Sequence, residues 1–140
     1  MADRVMLAAA TLFAATTAFT TTVSIREPHL PDEPLGLRFP GRVPVHLALG
    51  LGSGVAAPWP MPVIAGAAAM RAEPGISWPG RTCAILGAVV LVGTLVEPAS
   101  WGLRPRSSAA RATVALHFLS GAALFLAGTR TPVSKSVGQP

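Results

Sequence analysis

One uncharged run limits the folds open to this chain more than any other feature of its sequence. The run covers residues 43–70, between Arg42 and Arg71, and holds 28 residues without Asp, Glu, Lys or Arg. As a single helix it would be ~42 Å long at a rise of ~1.5 Å per residue, whereas the hydrocarbon core of a bilayer is ~30 Å thick. The run therefore predicts a membrane-embedded segment that tilts, bends or folds back on itself.

A proline cluster interrupts this run near its middle. Pro58, Trp59, Pro60 and Pro62 lie almost side by side, and proline removes a helix hydrogen bond and clashes with the preceding turn. We expect the second helix to be long and kinked or broken there. Two topologies stay open, a bent crossing and a re-entrant pair of half-helices. We prefer the crossing because re-entrant backbone needs protein on every side.

Three further apolar runs have lengths close to those of membrane-spanning helices. They cover about residues 5–25, 82–97 and 112–129, in a chain that is 51% hydrophobic and only 12% charged. That balance is typical of a membrane protein. The sequence predicts an all-α integral membrane protein, an antiparallel four-helix bundle in which residues 1–140 form a single transmembrane domain. The first span is interpreted as an anchor, with removal as a signal peptide as the alternative.

Polar segments connect and follow these spans, in particular a proline-rich loop over residues 24–42 and a polar tail over 130–140. A composition rich in Ala, Gly, Pro and Arg suggests a bacterial cytoplasmic membrane. The basic residues stand singly between apolar runs, so we expect no nucleic-acid partner. With four crossings, five Lys or Arg residues lie on one side and six on the other. Charge therefore does not set the orientation.

Small residues recur at a spacing of four within two of the spans. Ala10, Ala14 and Ala18 follow this spacing in the first span, and Gly50 and Gly54 follow it in the second. Small side chains at such positions let the backbones of two membrane helices approach closely. The sequence therefore predicts helix-packing faces on both spans.

Titratable groups converge if all four runs cross once. His46, Glu97 and His117 then approach one membrane face, with Arg42 and Arg111 at its edge. Ionisable residues within spans usually face the bundle interior or a water-filled cavity. One interpretation is a polar vestibule for a ligand or proton; the other is a set of hydrogen-bonded structural residues. A re-entrant second segment would separate His46 from the other two.

Catalytic and cofactor patterns are missing from the sequence. The single cysteine, Cys83, excludes an intramolecular disulfide and a site built from several thiolates. The cofactor stays unknown, and we expect neither haem nor a metal, because the depths of His46 and His117 in their spans differ by about one turn.

The first functional hypothesis is a non-catalytic subunit or interaction protein that packs into a homo-oligomer or a larger membrane complex. Its partners would be the lipid bilayer, other copies of itself or other membrane proteins. The alternative is a small transporter, channel or ligand-binding membrane protein that uses the polar vestibule.

Overall fold

The computed structural model describes residues 3–27, 41–49, 56–97 and 107–130. Helices make up 82% of these residues, and the same residues include no strand. The helices are α1 (Arg4–Arg26), α2 (Val43–Leu49), α3 (Pro60–Met70), α4 (Trp78–Val96) and α5 (Ser108–Thr129). The predicted all-α class is confirmed.

Three of these helices, α1, α4 and α5, are long and apolar enough to cross a membrane. They have 23, 19 and 22 residues, respectively. These are the helices expected of a multi-pass membrane protein. The helix α3 is also apolar, but it has only 11 residues.

The second predicted span contains two separate helices, α2 and α3, and residues 56–59 between them are not helical. Pro60 is the first residue of α3, a position where the missing amide hydrogen costs no helix hydrogen bond. The backbone nitrogen of Trp59 donates to the carbonyl of Leu47 at 2.8 Å, so the start of α3 lies beside α2. Gly50 and Gly54 are outside the described residues.

Contacts at the helix ends define the directions of the packed helices. The backbone nitrogen of Asp3 donates to the Ala72 carbonyl at 3.2 Å, which joins the start of α1 to the end of α3. At the other end of α1, the Ser107 hydroxyl donates to Glu27 Oε1 at 2.5 Å. Since α1 packs against both α3 and α5, both run antiparallel to it.

The distribution of polarity is reversed relative to a water-soluble bundle. Large aliphatic side chains such as Val63, Ile85 and Leu119 are about two-thirds exposed, whereas several hydroxyl side chains and one histidine are buried. Charges flank the long helices: Arg4 and Arg26 are ~33 Å apart along α1, close to the thickness of a bilayer core. This pattern is that of helices surrounded by lipid.

Glycines bring the backbones of α4 and α5 into direct contact. A Cβ atom built at Gly87 would lie 2.5 Å from the Phe125 backbone nitrogen, and one built at Gly80 would lie 2.8 Å from the Gly128 carbonyl oxygen. Gly80 and Gly87 are seven residues apart, as are Gly121 and Gly128 on the facing helix. A repeat of seven keeps the small positions on one seam along both helices.

This contact predicts opposite effects for two substitutions in the same helix. Gly87→Ala is expected to lower the free energy of unfolding by about 1–3 kcal/mol, because its methyl group would overlap the α5 backbone. Gly93→Ala is the matched control, because a Cβ there meets no atom within 4 Å. It should leave stability unchanged or raise it by up to about 1 kcal/mol. Unfolding in detergent micelles measures both, and equal effects would contradict the proposed backbone contact.

Candidate functional site

Polar side chains occupy one half of the buried surfaces of α1 and α5. We call this group the polar seam. Its members are all buried, and they are Thr16, Thr17, Thr20 and Ser24 of α1 and Thr113, His117 and Ser120 of α5. The other half of the same surfaces, toward the Arg4 end, is apolar and includes Met6, Phe13 and Leu124. The buried core therefore changes from apolar to polar along the helices.

The two sides of the polar seam lie at matching depths. Taking Glu27 and Ser107 as level, since their side chains are hydrogen-bonded, His117 lies ~15 Å along α5 and Thr17 lies ~15 Å along α1. The helices α1 and α5 pack against each other. The antiparallel packing thus brings the hydroxyl-rich half of α1 to the level of His117.

Most hydroxyls of the polar seam are satisfied by their own helices. Thr17 donates to the Phe13 carbonyl at 3.0 Å, Ser24 to the Thr20 carbonyl at 2.9 Å, and Thr113 to the Ala110 carbonyl at 2.6 Å. Such back-bonding allows Ser and Thr inside a membrane helix without a partner on another helix. These hydroxyls line the seam, but their own hydrogen bonds do not require a ligand.

His117 is different, because one of its ring nitrogens has no partner among the described residues. Its Nδ1 lies 3.0 Å from the Thr113 carbonyl oxygen, and a carbonyl can only accept, so Nδ1 carries a proton. In the neutral ring Nε2 is then a bare acceptor. The side chain is only 5% exposed, and Nε2 is buried without a hydrogen bond in the described part of the chain.

A second buried polar atom in the described residues, the Thr21 hydroxyl oxygen, also has no partner. Thr21 lies ~9 Å from Glu27 along α1, the same distance as Thr113 from Ser107 along α5. Helical side chains lean toward the N-terminus, so the His117 ring extends toward the level of Thr113. Two unsatisfied polar atoms therefore occur at similar depths, and Nε2 can accept a proton or a hydrogen bond.

Glu97 approaches the depth of His117, at the C-terminal end of α4. It is only 7% exposed. Gly87 packs between Gly121 and Phe125 of α5. Because α4 and α5 are antiparallel, moving ten residues along each helix from this contact brings Glu97 level with Thr113. The depths of Glu97 and His117 therefore differ by ~6 Å. The described helices thus bring the predicted vestibule residues Glu97 and His117 to neighbouring levels.

His46 lies on α2, whose main neighbour among the described helices is α1. It is half-buried, and its ring lies against Gly41, where a built Cβ would be 2.5 Å from Nε2. Gly41 has a φ of 140°, which also favours glycine. A joint vestibule of His46, Glu97 and His117 stays a prediction.

The arginines predicted at the edge of the vestibule, Arg42 and Arg111, are both exposed. Arg42 immediately precedes α2, and its carbonyl accepts from the Val45 and His46 backbone nitrogens. Arg111 lies in the first turn of α5. Among the described residues no group of three or more His, Cys, Asp or Glu side chains could hold a metal ion.

The predicted alanine face of α1 does not share one environment. Ala10 is buried, Ala14 is half-buried and Ala18 is exposed. Each step of four residues turns a helix of 3.6 residues per turn by about 40°, so the three positions drift from the core to the outside.

Comparison with protein-family models, curated proteins and solved structures finds no match to this chain.

The unpartnered nitrogen of His117 predicts an unusual response to mutation. An unsatisfied buried polar group costs about 1–3 kcal/mol, so His117→Leu is expected to raise the free energy of unfolding by about 1 kcal/mol. Thr113→Val is the matched control in the same seam. It removes a satisfied hydroxyl and should lower stability by about 0.5–1.5 kcal/mol. Unfolding in micelles measures both, and a loss of stability in His117→Leu would mean that Nε2 has a partner within the protein.

Proposed function

We propose that this chain is a non-catalytic membrane protein that crosses the bilayer four times and self-associates through the outer face of α1. Four crossings require that α2 and α3 together form one broken crossing. Their 7 and 11 residues amount to ~27 Å of helix, close to a bilayer core. The contact between Asp3 and Ala72 supports this arrangement. A segment that returned to the Glu27 end of α1 would place Ala72 at the opposite end from Asp3.

The observation that carries the proposed self-association is a row of small, exposed side chains along α1. We call it the small-residue face, and it consists of Ala8, Thr11, Ala15, Ala18 and Thr22. Its spacing alternates between three and four residues, which keeps the row on one side of a helix. Large exposed side chains, among them Leu12 and Phe19, lie beside it. A shallow groove of this kind allows a second helix to approach closely.

The outer faces of the other helices have a different character. They carry large aliphatic side chains suited to lipid, namely Val63 and Ile64 of α3, Ile85, Val89 and Val92 of α4, and Leu119 and Leu126 of α5. In lipid, helix association depends on close packing rather than on hydrophobicity. The contrast favours α1 as the contact helix. A second copy of the chain supplies an identical groove, which is the requirement of a two-fold interface.

The alternative function, a small transporter, channel or ligand-binding membrane protein, is favoured by one separate observation. The Nε2 of His117, which has no partner among residues 3–27, 41–49, 56–97 and 107–130, lies within the polar seam at a depth near that of Glu97. A buried acceptor among hydroxyls is suited to a proton or to a small hydrogen-bond donor. Self-association remains the first proposal because five residues between Ala8 and Thr22 of α1 support it.

Filling the small-residue face with large side chains is expected to weaken the association between copies. Ala15→Leu combined with Ala18→Leu should weaken self-association about tenfold or more, because the added side chains keep the helices apart. Ala112→Leu combined with Ala115→Leu is the matched control, since both alanines are exposed on α5. Energy transfer between labelled copies in vesicles measures association for both variants.

Each outcome of this experiment has a defined meaning. A wild-type protein that is monomeric in vesicles would contradict self-association. Crosslinking to a different protein in native membranes would instead indicate that the chain is part of a larger complex. Equal weakening by the two double variants would show that α1 is not the contact helix.

A further inference from the structure

A cleft of about 590 Å³ opens at the end of the molecule opposite the polar seam. The start of α1, the turn between α3 and α4, the start of α4 and the end of α5 surround it. Its polar lining residues are Asp3, Glu73, Ser77, Arg81, Thr129 and Arg130. The volume is within the range of about 300–1,000 Å³ that is typical of small-molecule sites.

The cleft lies where the chain passes from apolar to charged residues. Ile76 lines it, and Ile76 and Trp78 are 42% and 45% exposed. Tryptophan is enriched at the level of lipid headgroups, where its ring meets both apolar and polar surroundings. A cleft at this level opens at the bilayer surface, so lipid headgroups are the ligands nearest to it.

The charges of the cleft match a headgroup that carries both signs. Arg81 and Arg130 supply two guanidinium groups, and these are the side chains best suited to hold a phosphate. Of the two carboxylates, Asp3 is already used at the start of α1, where its Oδ1 accepts from the backbone nitrogens of Val5 and Met6. Glu73 is left as the carboxylate for a cation.

We propose that this cleft binds the headgroup of a phospholipid that carries a primary amine, with Arg81 and Arg130 on the phosphate and Glu73 on the ammonium. Ser77 adds a hydroxyl that makes no capping hydrogen bond to α4. An ammonium donates three hydrogen bonds to a carboxylate and hydroxyls, whereas a quaternary amine donates none. The proposal rests on the proposed crossing of the bilayer, which places this end at headgroup level.

Native mass spectrometry of the full chain in detergent tests the proposal directly. The probes are phosphatidylethanolamine, phosphatidylcholine and phosphatidylglycerol, each with and without an excess of inorganic phosphate. We expect phosphatidylethanolamine to bind most tightly and inorganic phosphate not to displace it. Equal affinity for the three lipids, or displacement by phosphate, would overturn the proposal, the second result indicating a simple anion site.

Matched variants locate the binding. Arg81→Gln combined with Arg130→Gln should weaken phosphatidylethanolamine binding about tenfold or more, because charge-assisted hydrogen bonds to phosphate are lost. Arg4→Gln combined with Arg71→Gln removes the same charge at the same end, outside the cleft lining, and should leave binding unchanged. Equal losses in the two double variants would overturn the assignment to the cleft.

Glu73→Gln provides an independent variant that keeps both arginines. It should reduce the affinity for phosphatidylethanolamine to that for phosphatidylcholine, and an unchanged preference would overturn the role of Glu73. Carbonate extraction of membranes reports separately on bilayer insertion. A protein that resists extraction but shows no lipid preference would contradict the headgroup site while leaving the proposed crossings intact.

Discussion

The structure depends on the requirement that polar groups in lipid find their partners inside the protein. The long helices satisfy their own backbones, and the hydroxyls of Thr17, Ser24 and Thr113 bond back to carbonyls of the same helices. Large aliphatic side chains can then face outward at no cost. Because apolar burial does not drive helices together in this environment, their association relies on close packing, as between α4 and α5 at Gly87 and Gly128.

The three long helices could be predicted from the sequence because a charge in hydrocarbon is costly. Uncharged runs therefore predict α1, α4 and α5, although the run over residues 82–97 covers only part of α4, which begins four residues earlier and includes Arg81. The predicted spacing of four does not describe the buried face of α1, because successive steps of four residues turn away from the core. Buried positions on α1 instead repeat every seven residues, as in Ala10, Thr17 and Ser24.

A spacing of seven residues also marks the glycine contacts between α4 and α5, which the predicted spacing of four does not include. Gly80 with Gly87, and Gly121 with Gly128, are visible in the sequence as pairs seven residues apart. The register of α4 and α5 brings Glu97 near the depth of His117, and the predicted vestibule itself stays a prediction. The position of His46 depends on the short helix α2 and on its contact with Gly41, neither of which has a periodic signal in the sequence.

The two ends of the molecule have different chemistry. At the Glu27 end the interior is polar, and His117 Nε2 is a buried acceptor that has no partner in the described part of the chain. At the Asp3 end the interior is apolar, and the charged groups line an open cleft at the surface. This asymmetry separates the proposals spatially, with self-association along the outer face of α1, a buried acceptor at one end and headgroup binding at the other.

The central claim is that the chain crosses the bilayer four times, with the end of α3 on the same side as the start of α1. Single cysteines at Arg4, Glu73 and Ser107, in a background with Cys83→Ser, test it by labelling with a membrane-impermeant thiol reagent from each side of sealed vesicles. Four crossings predict that positions 4 and 73 label from one side and position 107 from the other. Labelling of positions 4 and 73 from opposite sides would contradict it.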